Sequence, residues 1–234
     1  PTDERAGRAA APASRPSSCP WRSMIVVLLH GLGRTRRSMA RLAARLVAAG
    51  YRVENLDYPS RRLAIAACAE HLRPAVSAIR QQAGAPVVLV GHSMGGLVAR
   101  HLAAADPDLV AGLVMLGTPN RGSEAADIVS AYRLGRAVLG PAIRDLRRDA
   151  SGAIPVPACP VAAVAGTRAL IPFFRRRILE PHDGLVSVES ARWGAGERWC
   201  MVPAHHTWLM NHPATAAAVL DALSVWVSLP ERAG

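Results

Sequence analysis

The sequence predicts an α/β fold: a single doubly wound, mostly parallel sheet of about six strands with helices on both faces. Three observations predict it. Short continuous apolar runs alternate with stretches whose apolar residues recur at helical spacing, the pattern of successive right-handed βαβ units. One of those runs ends in a glycine-rich turn that opens directly into a helical stretch. The chain has 234 residues, half of them hydrophobic, with mean hydropathy +0.15, which suits one domain with a sizeable core.

Residues 1–23 are rich in Ala, Arg, Pro and Ser and contain no apolar core. They are expected to be a disordered tail rather than a signal peptide, with the folded domain occupying residues 24–230. Residues 24–29 form an unbroken apolar run, as in strands buried on both faces. The turn His30-Gly31-Leu32-Gly33 follows. Between residues 35 and 49, Met39, Leu42, Leu46 and Ala49 share a helical face, and Gly50 ends that helix. Residues 51–58 read as a second strand, stopped by Pro59. Leu72, Val76 and Ile79 mark the next helix, with Pro74 expected to start or kink a segment of it.

A strand at 86–90, a tight turn at 91–95 and a helix at 96–105 come next, then a strand at 109–116 closed by Gly117-Thr118-Pro119. In residues 120–158, Ile128, Ala131, Tyr132, Gly135 and Val138 fall at helical spacing and predict a short helical insertion or cap. Strands at 161–165 and 198–202 and a closing helix at 213–229 complete the set.

The charge is lopsided, with 28 basic against 17 acidic residues and a net +11. Every basic residue is Arg, which together with abundant Ala points to GC-rich codon usage. The arginines are scattered, from Arg34, Arg36, Arg37, Arg41 and Arg45 to the run at 175–177. Aromatics are only 4% of the chain, so platforms for base stacking are scarce and no nucleic-acid partner is expected. No apolar stretch reaches the ~18 residues of a membrane-spanning helix, so no transmembrane segment is expected, while peripheral contact with a membrane stays open. The four cysteines, Cys19, Cys68, Cys159 and Cys200, are far apart and form no CxxC pair; free buried thiols are expected. The absence of an apolar leader in the residues given inclines the expected location to the cytoplasm.

Gly91-His92-Ser93-Met94-Gly95 is a GxSxG sequence between a predicted strand and a predicted helix. A strand turning sharply into a helix forces the central Ser into a strained conformation and brings its flanking positions against neighbouring backbone, so Gly91, Gly95 and Gly96 fit sterically. The hydroxyl is left at the carboxyl edge of the sheet, beside a helix N-terminus that favours developing negative charge. A neutral serine needs a base, and the base an orienting acid. Among the histidines, His101 lies on the helix after the turn and suits a structural role, whereas His205 and His206 follow the last strand, where loops converge. Asp183, next to Gly184 in a loop after the fifth strand, is the candidate acid. Asp145 and Asp149 sit among arginines and read as solvated ion-pair partners. The turn at His30-Gly31-Leu32-Gly33 is placed to donate a backbone N–H to a reacting oxygen, with the Met94 N–H as second donor. His182, His205, His206 and His212 with Asp183 lack the spacing of a zinc site, so no metal or other cofactor is expected.

Taken together, these motifs, with Gly117-Thr118-Pro119-Asn120-Arg121-Gly122-Ser123, Asp183-Gly184-Leu185-Val186 and His206-Thr207-Trp208-Leu209-Met210, resemble the α/β-hydrolase superfamily, and within it small bacterial lipase and esterase-like members. The resemblance spans residues 24–229. It implies a Ser93–Asp183–His206 triad with Leu32 and Met94 as oxyanion donors, acting on a small ester or lipid. It favours His206 over His205 as the base, because the family motif puts its His directly before the Thr-aromatic-Leu-Met run. It also implies that the Gly122-Ser123 loop lies near the acyl pocket, with an insertion too short for a large lid. The same triad serves acyl transfer and thioester cleavage, and the fold also occurs in proteins that only bind. Arg34, Arg36 and Arg37, just after the first turn, are expected to be a solvated helix start rather than a headgroup site.

Overall fold

The computed structural model describes residues 24–170, 178, 181–194 and 197–227. The predicted tail with Cys19, the arginines at 175–177 and the last two residues of the predicted closing helix lie outside the described residues.

Six parallel strands form one sheet in the order β2-β1-β3-β4-β5-β6: β1 (Ile25–Leu29), β2 (Arg52–Leu56), β3 (Val87–His92), β4 (Val110–Leu116), β5 (Val161–Gly166) and β6 (Arg198–Val202). The apolar runs are continuous because both faces of the central strands are covered. Ile25, Val27 and Leu29 point into one core with Leu72 and Val76 of α2 (Ile65–Ala83) and Leu97 and Leu102 of α3 (Met94–Ala105). Val26 and Leu28 point into the other, against Leu42 and Leu46 of α1 (Ala40–Ala48) and Val219 and Leu223 of the C-terminal α7 (Pro213–Val227). Edge strand β2 is half-exposed, which is why Arg52-Val53-Glu54 could sit in it.

Three expectations change in detail. Ala49 is exposed and caps α1 instead of sharing its buried face. Between β4 and β5 the chain forms three short helices, α4 (Glu124–Ser130), α5 (Arg133–Leu139) and α6 (Ala142–Asp145), not one amphipathic segment. Tyr132 and Val138 are exposed there, while Ala125, Ala126 and Ser130 are buried, so the face read from spacing is not the face that packs. Asp145 is no solvated ion-pair partner: its Oδ2 accepts the Ile65 N–H at 2.9 Å and caps α2, whereas Asp149 does pair with Arg147 at 2.9 Å. Pro74 lies inside α2. Of the cysteines expected to be buried, Cys68 is, whereas Cys159 and Cys200 are only half-buried.

Candidate active site

The carboxyl end of β3 carries Ser93 into α3, and the serine backbone is strained. Its φ of 55° with ψ of −123° makes it the one non-glycine residue with positive φ among the described residues. Such a conformation costs ~1–3 kcal/mol and persists only where surrounding packing enforces it. The enforcement is visible at three glycines. A Cβ at Gly91 would lie 2.4 Å from the Gly95 carbonyl carbon; one at Gly95 would lie 2.4 Å from the Leu29 oxygen; one at Gly96 would lie 2.0 Å from Thr118 Oγ1. The Ser93 N–H donates to the Leu116 carbonyl at 2.8 Å, tying the turn to the end of β4.

Asp183 and His206 arrive from the loops after β5 and β6. Asp183 is buried; its Oδ1 accepts the Leu185 and Val186 N–H groups at 3.0 and 2.9 Å, and its Oδ2 lies 2.7 Å from His206 Nδ1. His206 Nε2 lies 2.9 Å from Ser93 Oγ. A carboxylate only accepts, so the proton belongs on Nδ1 and leaves Nε2 free to accept from the serine hydroxyl. The main chain repeats the link, because the His206 N–H donates to the Asp183 carbonyl at 2.9 Å. Gly117 closes the space behind the pair: a Cβ there would stand 3.2 Å from Asp183 Oδ2 and 3.3 Å from His206 Nδ1. Leu209 and Met210 are buried and pin the His206 loop, while Trp208 is exposed.

His205, the alternative base, is not brought to Ser93. Its Nδ1 accepts the Thr207 N–H at 3.2 Å, and its Nε2 faces Gly184. His182 accepts the Gly184 N–H at 3.1 Å, His212 accepts the Ala214 N–H at 3.2 Å, and His101 is half-buried on α3. Burial lowers the pKa of His182, His205 and His101.

Nothing in the residue pattern singles out His92. It is buried beneath the relay, and its Nε2 donates to the His206 carbonyl at 3.0 Å, so its proton sits on Nε2 and Nδ1 has none. Burial first, and the neighbouring His206 second, hold it well below the usual histidine range. Its ring touches the first turn as well: a Cβ at Gly31 would lie 3.1 Å from His92 Nδ1 and 3.2 Å from Ser93 Cβ. The turn therefore runs directly beside the serine. It is anchored by His30, whose buried ring stacks on Tyr58 at 4.3 Å and lies 3.1 Å from Asp57, while the Tyr58 hydroxyl donates to the His30 carbonyl. Leu32 sits in this turn at the pocket wall, and Met94 begins α3, where first-turn N–H groups lack intrahelical acceptors.

A pocket of about 190 Å³ opens over Ser93 and His206, walled by Leu32, Val129, Leu139, Ile143, Leu146 and Val186. Ser123 lines it too, and its hydroxyl donates to the Leu185 carbonyl at 2.8 Å. Arg34 departs from the expected solvated helix start. It is half-buried, lines the same pocket, and its Nη2 donates to the Thr207 carbonyl at 3.1 Å, while Arg36 and Arg37 are exposed.

Strand order, elbow and relay together define an α/β-hydrolase scaffold with a serine-centred site. Residues 22–154 match the family model described as serine aminopeptidase, S33, and the chain belongs to that α/β-hydrolase family. A triacylglycerol lipase of Pseudarthrobacter phenanthrenivorans is 49% identical over 61 residues, 26% of this chain and 19% of that protein. Lipase LipV of Mycobacterium tuberculosis is 49% identical over 63 residues, 26% of this chain and 24% of its own length. The matched stretch thus spans about a fifth to a quarter of these curated relatives. In fold, the chain is similar to the mature Bacillus licheniformis lipase BlEst2, with a TM-score of 0.74 at 19% identity over 91% of this chain and 96% of that one. It is likewise similar to a metagenomic carboxyl esterase, with a TM-score of 0.68 at 19% identity over 95% of this chain and 81% of the other. Among the described residues, no helix is long and apolar enough to cross a membrane.

Proposed function

We propose that this protein is a serine hydrolase that cleaves carboxylic esters, with Ser93 as nucleophile, His206 as general base and then acid, and Asp183 as the group that orients His206. The observation that carries the proposal is the unbroken relay from buried Asp183 through His206 to Ser93 at the floor of an apolar pocket. Ser93 Oγ attacks the ester carbonyl carbon as its proton passes to His206 Nε2. The carbonyl oxygen becomes an oxyanion, held by the Leu32 and Met94 N–H groups, each contributing about 3 kcal/mol. His206 protonates the departing alcohol, leaving Ser93 acylated. Water, deprotonated by the same nitrogen, then releases the acid and restores the serine.

The pocket wall favours esters over peptides with a free amino terminus. An aminopeptidase needs a carboxylate to hold the substrate ammonium, yet the described residues that line this pocket include no Asp or Glu and do include the cationic Arg34. The lipase and esterase names of the relatives point the same way.

A fluorophosphonate, mapped by intact mass and peptide analysis, tests the assignment. A single adduct on Ser93 that Ser93→Ala abolishes, with loss of p-nitrophenyl ester turnover in a folded variant, is the expected result. Turnover retained by Ser93→Ala refutes it.

A further inference from the structure

Beside the apolar pocket lies a second cavity of about 230 Å³, lined by Gly33, Arg34, Thr35, Tyr58, Ser60, Arg61 and Arg62 among others. Arg34 belongs to the lining of both, so the two spaces adjoin at this residue. We propose that this arginine-lined groove holds the anionic group, a carboxylate or a phosphate, of an ester whose scissile bond lies over Ser93. The inference rests on the ester-hydrolase reading and adds a substrate class to it.

Three features of the groove support the assignment. Three arginines line it, and among the described residues no carboxylate lies within ion-pair distance of any of them. The local carboxylate, Asp57, is engaged instead by His30 and by the Arg36 N–H at 2.9 Å. Elsewhere the protein's arginines do find acids, as Arg121 finds Glu189, Arg148 finds Asp127 and Arg198 finds Asp221. Ser60, 3% exposed, lines the same cavity; its Oγ accepts the Gly33 N–H at 3.1 Å, which leaves the hydroxyl proton with no acceptor among the described residues. The groove walls are also held in place. Arg61 Nε would stand 3.2 Å from a Cβ at Gly33, which takes a left-handed φ of 67°, and a Cβ at Gly140 would lie 1.8 Å from the Arg61 carbonyl oxygen. Arg34 is fixed from the other side by the Thr207 carbonyl, one residue from His206.

Guanidinium forks suit carboxylate and phosphate oxygens, and Ser60 can add a hydroxyl donor. An anionic group held there is coupled through Arg34 and the Gly31–Leu32 turn to the position of the scissile carbonyl. Binding energy from this remote group then improves kcat/KM and not affinity alone.

The test compares anionic and neutral esters matched for size. On the alcohol side, 4-butyryloxybenzoate is set against 4-carbamoylphenyl butyrate; on the acyl side, monophenyl adipate against phenyl hexanoate. The expected result is that wild type prefers one anionic ester to its neutral partner by ~10-fold or more in kcat/KM. That ratio falls toward one in Arg61→Gln/Arg62→Gln and in 0.5 M salt, because partly exposed charges are screened. Both arginines are exposed, and a thermal melt verifies that the double variant folds. Neutral esters turned over with no preference for either anionic one overturn this inference alone. If phosphatidylglycerol vesicles bind wild type but not the double variant, still without soluble preference, the groove is a lipid-surface contact and the assignment is overturned. No turnover of any ester and no fluorophosphonate adduct overturn the hydrolase reading and this inference with it.

Discussion

Replacing Asp183 with Asn separates the carboxylate's two jobs, because its two oxygens face different partners. Oδ1 accepts two backbone N–H groups, the partly buried one of Leu185 and the buried one of Val186, and Oδ2 accepts from His206 Nδ1. In Asp183→Asn the amide oxygen must stay with the two N–H donors, since the amide nitrogen cannot accept from them. That turns the amide NH₂ toward His206 Nδ1, which must then accept, and the imidazole proton moves to Nε2. A protonated Nε2 pointing at Ser93 Oγ cannot take the serine proton. The loop is kept and the base is lost. From the effect of a wrong imidazole tautomer in other triads, kcat should fall ~10⁴-fold, equivalent to about 5 kcal/mol of barrier. Asp183→Ala should lose activity as well, and in addition leave the Leu185 and Val186 N–H groups without this acceptor at about 1–3 kcal/mol each, lowering Tm by on the order of 10 °C. Turnover of p-nitrophenyl butyrate and thermal melts on both variants measure the two effects. Asp183→Asn that folds like wild type yet keeps more than ~1% of kcat would refute the tautomer argument.

The two adjacent histidines should separate sharply: His206→Ala should cost at least ~10⁴-fold in kcat, and His205→Ala no more than ~10-fold, so equal losses would leave the relay without its assigned base. Gly95→Ala puts a Cβ 2.4 Å from the Leu29 oxygen and 2.6 Å from that of His30. It should destabilise the fold by on the order of 3 kcal/mol, read as a Tm drop of roughly 6–12 °C; an unchanged Tm would mean that β1 and α3 are not so close. Five histidines, His30, His92, His101, His182 and His205, have pKa values lowered chiefly by burial. Below pH ~6.5 the unfolded chain takes up protons that these folded-state rings refuse, so stability present above that pH is lost as pH falls, by up to about 1.4 kcal/mol per pH unit for each such ring. Scanning calorimetry from pH 8 to 5 should show Tm falling below 6.5; a flat profile would contradict the burial of these rings.

How much could be read from the residues follows from the range of the forces involved. Strands β1, β3 and β4 were legible because burial on both faces leaves continuous apolar runs, and the elbow because its constraint is local: three glycines within six residues. Asp183 could be singled out as a candidate through Gly184, and His206 over His205 only through the resemblance of the run ending in buried Leu209 and Met210 to the family motif. The contacts that join distant segments left no local pattern. His92 reads as the variable residue of a GxSxG motif, and only folding sets it under the His206 carbonyl, 114 positions away. The stacking of Tyr58 on His30 and the capping of α2 by Asp145 are of the same kind. Arg100 is another: it is buried, donates to the Ile154 and Pro155 carbonyls, and lies 4.5 Å above the Trp193 ring. Spacing misled between β4 and β5 because segments of seven residues or fewer pack on whatever faces them, and Tyr132, Leu134 and Val138 meet solvent instead of a core.

The glycines around Ser93 have a consequence for how such a protein can change over generations. Gly91, Gly95 and Gly96 are closed to side-chain growth in three directions, toward α3, the end of β1 and Thr118. The position of Ser93 is therefore recorded in main-chain contacts, which point substitutions elsewhere cannot easily rewrite. The chamber above it is recorded differently, in the volumes of Val129, Leu139, Ile143 and Leu146, where one methylene more or less merely reshapes the space. The serine and the chamber are thus heritable on separate ledgers: a lineage can reshape the pocket in small steps without disturbing the geometry of the turn beneath it.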